Sequence, residues 1–132
     1  YNSLVTMNNS QKATLIIGAS SNEERYSYKA FYKLKESNHK VYALGFREGM
    51  LSDTQIYTYH QATWTDVDTV TLYLGATRQE PYFEYLVKLN PRRVIFNPGT
   101  ENEEFENRLK EAGIQTEQAC TLVLLATNQY QS

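Results

Sequence analysis

A single cysteine, Cys120, stands in the 132 residues, so no internal disulfide can form. The two histidines, His39 and His60, lie far apart, and no Cys-x-x-Cys or His-x-x-x-His pair occurs. A zinc or iron–sulfur site needs several such ligands at close spacing, so no metal site is expected. No nucleophile–base pair is read either, and no residue is assigned a catalytic role. Long apolar runs are missing: the longest, residues 122–126, is far short of the ~20 residues that cross a bilayer. A basic excess is missing too. Thirteen Lys and Arg face fifteen Asp and Glu, for a net charge of −2 and a pI near 5.7. Nucleic acid and membrane are therefore not expected as partners. Residues 1–11 carry neither the basic nor the apolar region of a signal peptide and begin without Met. They read as a flexible lead-in on a trimmed chain, and the compartment reads as cytoplasmic. Homo-oligomerisation is left open.

What is present is ordinary for a globular protein: 41% hydrophobic and 21% charged residues in 15.3 kDa. That length predicts one domain, here residues 12–132, able to bury about two-thirds of its unfolded surface. Short β-rich runs alternate with amphipathic stretches. Residues 13–18 are a nearly unbroken apolar run ending in Gly18, the pattern of a strand buried on both faces. Residues 27–37 follow with Tyr28, Phe31 and Leu34 at helical spacing. Strands are expected at 40–45, 56–59, 69–74, 93–96 and 114–117, after a loop at 46–54. Helices are expected at 79–90, 101–112 and 121–128. Thr100 and Glu103 form a capping-box pattern for the third helix.

This alternation predicts an α/β fold: a doubly wound, mostly parallel sheet of five or six strands in a Rossmann-like three-layer α/β/α arrangement. Ligands of such sheets bind beyond the carboxyl ends of the strands. The informative residues are therefore those that follow Ile17, Leu44, Leu74 and Phe96.

The first such loop offers small residues, Gly18 and Ala19, hydroxyls on Ser20 and Ser21, and Arg25 just before a helix start that favours an anion. It is not a Gly-x-Gly-x-x-Gly turn, and its plainer reading is a strand-to-helix connection. After the second strand, Gly45-Phe46-Arg47-Glu48 places an arginine where dinucleotide folds carry an acid for the ribose. Arg47 suits an extra ribose phosphate, and Phe46 a purine face; Glu48 keeps a ribose contact open. After the fourth, Gly75-Ala76-Thr77 lets a ligand pass close to the backbone. After the fifth, Asn97-Pro98-Gly99-Thr100 presents an amide and a hydroxyl at a helix start. Cys120 reads as a small buried hydrophobe or as a thiol that meets a ligand thiol. Tyr73, Tyr82 and Tyr85 read as packing.

Taken in order, Gly18-Ala19-Ser20 with Arg25-Tyr26-Ser27-Tyr28, Phe96-Asn97-Pro98-Gly99-Thr100-Glu101-Asn102, and Ala119-Cys120-Thr121-Leu122-Val123 resemble the small stand-alone CoA-binding domain proteins. These are similar to the CoA-binding domain of the succinyl-CoA synthetase α subunit. The resemblance runs from Lys12 to Tyr130. It implies that Gly18, Ala19, Ser20 and Arg25, with Tyr26 and Ser27 beside them, hold the CoA diphosphate. Gly45, Phe46 and Arg47 then sit by the adenosine 3′-phosphate, and Gly75, Ala76, Thr77, Asn97, Pro98 and Gly99 line the pantetheine arm. The synthetase relatives continue into a domain with a phosphorylated histidine, and no corresponding segment is read here. The expected function is thus non-catalytic binding of CoA or an acyl-CoA. Two alternatives remain beside it: an NADP-dependent oxidoreductase, and an interaction protein with a vestigial nucleotide site.

Overall fold

The computed structural model describes residues 13–59 and 61–131. The lead-in at 1–11 and His60 lie outside the described residues. Seven strands form one sheet: β1 (Ala13–Ile17), β2 (Val41–Leu44), β3 (Gly49–Leu51), β4 (Thr54–Tyr57), β5 (Val67–Leu72), β6 (Arg93–Phe96) and β7 (Gln115–Gln118), in the spatial order 3-4-2-1-5-6-7. All neighbours run parallel except β3, which pairs antiparallel with β4. The helices are α1 (Tyr26–Glu36), α2 (Phe83–Leu89), α3 (Glu103–Glu111) and α4 (Thr121–Ala126).

The apolar run at the start of the chain becomes the central strand because it can be buried on both faces, and all five of its residues are. Side chains alternate along it. Leu15 and Ile17 enter a cluster with Leu86 of α2 and with Phe105 and Leu109 of α3. Ile16 enters the opposite cluster with Phe31 and Leu34 of α1, against which Leu124 and Leu125 of α4 pack. The three-layer α/β/α architecture follows directly.

Several boundaries differ from the expected ones, and the sheet has seven strands where five or six were expected. The additional strand, β3, is a three-residue piece that exists only as the hairpin partner of β4. Its turn is Ser52-Asp53, with Ser52 at φ +57. β5 starts at Val67, two residues early, and Tyr73 and Leu74 have already left the sheet. The helix expected from residue 79 begins only at Phe83. Before it come two short 3-10 turns, Ala76–Arg78 and Glu80–Tyr82, the second holding Pro81. Asn102, not Thr100, caps α3: its side chain accepts from the Phe105 amide at 3.2 Å. Thr100 instead folds back, its hydroxyl donating to the Asn97 carbonyl at 2.8 Å.

The chain runs outward from β1 through β2 to β4, then returns to place β5 on the other side of β1. The order therefore reverses between β1 and β5, and ligands of such sheets bind above the carboxyl ends at this point.

Candidate nucleotide site at the carboxyl rim

Parallel pairing carries the segments after β1, β2, β5, β6 and β7 to one rim of the sheet, and they touch in sequence. Gly18 has φ +96, and a Cβ there would lie 2.9 Å from the Tyr73 carbonyl group, so the turn after β1 rests on the segment after β5. A Cβ on Gly45 would lie 2.4 Å from the Ala19 carbonyl oxygen, so the β1 and β2 loops are also packed together. These two glycines are required by chain meeting chain. Gly75 and Gly99 differ, since a Cβ at either meets nothing within 4 Å. Of the four candidate glycines, only these two face open space that a ligand can enter.

The first loop closes on itself. Ser20 Oγ accepts from the Asn22 amide at 3.0 Å, and Asn22 Oδ1 from the Glu24 amide at 2.9 Å. Arg25 then holds the N-cap position of α1 with an extended backbone; no side chain caps the helix and no acid stands in its first turn. That helix start is therefore open to an anion. Tyr26 is exposed beside it, whereas Ser27 is buried.

The segments after β5 and β6 are joined by Gln79, whose side chain has no solvent exposure. Its amide donates to the carbonyls of Leu74 at 2.9 Å and Thr100 at 2.7 Å, and Asn102 donates to its Oε1 at 3.1 Å. Asn97 is likewise buried and engaged. Its amide donates to Thr71 Oγ1 at 2.8 Å and the Leu72 carbonyl at 2.9 Å, and its oxygen accepts from the Thr121 amide at 2.9 Å. Asn97 thus shapes the rim from beneath, while Pro98 and Gly99 form its surface. Beneath the same rim, burial pushes the Tyr73 phenol up to about 12, against the opposing effect of hydrogen bonds with Thr71 and Thr121. Cys120 is a half-buried free thiol at the N-cap of α4.

The arginines divide between this rim and the rest of the surface. The exposed Glu23, Glu24, Glu48 and Glu101 stand in the rim segments as well, Glu101 accepting from the Gly99 amide at 2.9 Å. Three of the six arginines are neutralised: Arg92 by Asp68 at 2.9 Å, Arg93 by Glu117 at 3.3 Å and Arg108 by Glu80 at 2.6 Å. The other three, Arg25, Arg47 and Arg78, follow β1, β2 and β5 and are all exposed. None of them has a carboxylate within ion-pair distance among the described residues. The nearby Glu48 accepts instead from Gln61 at 2.5 Å. The Arg78 guanidinium lies 4.7 Å from the ring centroid of Phe46, so the segments after β2 and β5 meet above the switch point.

A cavity of about 810 Å³ lies between exposed parts of α1 and α4 and reaches Glu23 of the loop after β1, and one of about 430 Å³ sits at the amino rim beside Asp68 and Arg92. Among the described residues, no helix is long and apolar enough to cross a membrane, and no group of three or more metal-ligating side chains occurs.

A parallel sheet with a switch point and helices on both faces defines a Rossmann-like class of α/β protein. Residues 12–126 match the CoA binding domain family, and the chain belongs to it. An uncharacterized protein of known crystal structure is 41% identical, with a TM-score of 0.86 over 92% of this chain and 99% of that one. A Thermus thermophilus protein is similar in fold at 21% identity and TM-score 0.79, covering 98% of each chain. A hypothetical protein from Pyrococcus horikoshii OT3 is also similar in fold, at 20% identity and TM-score 0.78, over 92% of this chain and 87% of that one. No curated protein matches the chain.

Sequence reasoning singled out Arg25 and Arg47 but missed Arg78 and Gln79. Arg78 acquires meaning only from Phe46, 32 positions away. Gln79 had one available signal, a polar residue beside the small-residue segment 75–77, but nothing local distinguishes a buried staple from a solvated amide.

Proposed function

We propose that residues 12–132 act as one CoA-binding unit that holds CoA or an acyl-CoA at the carboxyl rim without catalysing its reaction, as a sensor, carrier or accessory subunit. The observation that carries this reading is the contrast among the arginines: three ion-paired ones elsewhere and three unpaired ones around the switch point. CoA brings four negative charges, and the chain as a whole is acidic, so its attraction must be local. Arg25, at the open start of α1, suits the diphosphate, with Gly18, Ala19, Ser20, Tyr26 and Ser27 shaping that corner. Arg47 suits the 3′-phosphate, and Phe46 the adenine. Gly75, Ala76, Thr77, Pro98 and Gly99 suit the pantetheine arm, supported by Asn97 from below. The family membership supports the ligand class.

Calorimetric titration with CoA, 3′-dephospho-CoA and NADPH tests the reading. CoA is expected to bind tighter than dephospho-CoA, and Arg47→Ala is expected to erase that difference. A millimolar CoA titration without heat overturns the proposal, as does tighter binding of NADPH than of CoA. A melting temperature that no ligand raises also overturns it, because a ligand bound to the native state must stabilise that state.

A further inference from the structure

Phe46 is 58% exposed, and its partner Arg78 is also exposed. The pair is formed by residues that flank β1 from either side, one after β2 and one after β5, so it stands over the point where the strand order reverses. A flat base needs about 3.5 Å to each neighbouring layer, roughly 7 Å between the two. The 4.7 Å from guanidinium to ring centroid cannot admit one. Any purine that stacks on this face of Phe46 must displace Arg78.

Little opposes that displacement. No carboxylate holds the guanidinium among the described residues, and an exposed cation–π contact is worth only a two- to fivefold effect, as an order of magnitude. The backbone beneath it need not move, because the buried Gln79 side chain fixes the adjoining segment to Leu74 and Thr100. Rotation of one side chain therefore uncovers the ring and frees a bidentate cation beside it. The purines that bring compensation are those carrying phosphate.

We propose that Arg78 is a specificity residue of this site: it covers the face of Phe46, yields it to the adenine of a phosphorylated nucleotide, and then pairs with a phosphate of that ligand. This rests on the CoA reading above, and its distinctive consequence is opposite effects on two probes. Arg78→Ala removes the cover, so adenosine, which has no phosphate, is expected to bind about two- to fivefold tighter. The same change removes a charge-assisted contact, so CoA is expected to bind about tenfold more weakly. Adenosine is read by chemical-shift titration, CoA by calorimetry, and thermal unfolding checks that this exposed substitution leaves the fold intact. If the wild-type chain binds no CoA, the functional reading falls and this proposal with it. If wild type binds CoA but Arg78→Ala weakens both probes together, strengthens both or changes neither, the Arg78 proposal alone is overturned.

Discussion

The buried side-chain amide of Gln79 donates to the Thr100 carbonyl across 2.7 Å, tying the segment after β5 to the segment after β6. It donates equally to Leu74, so one side chain satisfies two backbone acceptors that no water reaches easily. Gln79→Leu keeps the volume and removes every one of these bonds. Each buried group left without a partner costs about 1–3 kcal/mol, so the urea midpoint is expected to fall clearly at an unchanged slope. A midpoint equal to that of the wild type would show that the two segments hold their positions without the staple. CoA affinity is expected to fall as well, because Gly75 and Gly99 lie on the two segments that Gln79 joins.

The glycines of the rim separate by role, and alanine reads the difference. At Gly45 the added carbon would lie 2.4 Å from the Ala19 carbonyl oxygen, so Gly45→Ala is expected to lower stability by about 1–3 kcal/mol. At Gly75 the same carbon meets nothing and the backbone is at φ −62, so Gly75→Ala is expected to change stability by less than about 0.5 kcal/mol. Its effect should appear in CoA titration, as weaker binding. Equal thermal unfolding shifts for the two variants would refute this division.

The central strand was legible because Leu15, Ile16 and Ile17 leave no polar face, and α1 because Phe31 and Leu34 recur at helical spacing. Placement of the candidate loops at one rim followed from the parallel sheet alone. β3 was not legible, since Gly49-Met50-Leu51 has no strand signal of its own and is held by pairing with β4. The early start of β5 was hidden by Asp66 and Asp68, which look like loop residues and instead bind Lys40 and Arg92. Asn97 was legible as a rim residue but not as a buried one. Its partners Thr71, Leu72 and Thr121 come from two other segments. Local pattern finds elements and their order; contacts made across the sheet are set by packing and stay out of its reach.

Tyr130 lies beyond the stretch matched to the family, yet it is 5% exposed and closes the amino rim. Its hydroxyl meets Thr14 Oγ1 at 2.5 Å. Its carbonyl accepts from Arg93 at 2.7 Å, and its ring carries the Arg93 guanidinium at 4.8 Å. Tyr130→Phe is expected to lose about 1 kcal/mol for the one bond, and Tyr130→Ala about 3–5 kcal/mol for the ring. Because Thr14 and Arg93 stand at the rim opposite the candidate site, CoA affinity of the folded variants should not change. Chemical denaturation paired with calorimetry checks both halves, and a stable Tyr130→Ala variant would contradict the first.

At the same amino rim, acid should remove a defined part of the stability. Burial raises the pKa of Asp68, but hydrogen bonds from Arg92 and Thr69, with the charge of Arg92, outweigh it and hold the carboxyl below its ordinary 3.8. A carboxylate with a depressed folded pKa binds protons more readily when unfolded. Its contribution is therefore complete above 3.8 and is lost as the pH falls through the lower folded value. The pair is bidentate, at 2.9 and 3.0 Å, but the Arg92 side chain is 43% exposed, so screening limits the contribution to about 1 kcal/mol. Asp68→Asn is accordingly expected to be less stable than wild type by about that amount at pH 7, and the gap should narrow as the solution is acidified below 3.8. A gap that persists unchanged at low pH would mean that the aspartate acts through packing and not through its charge.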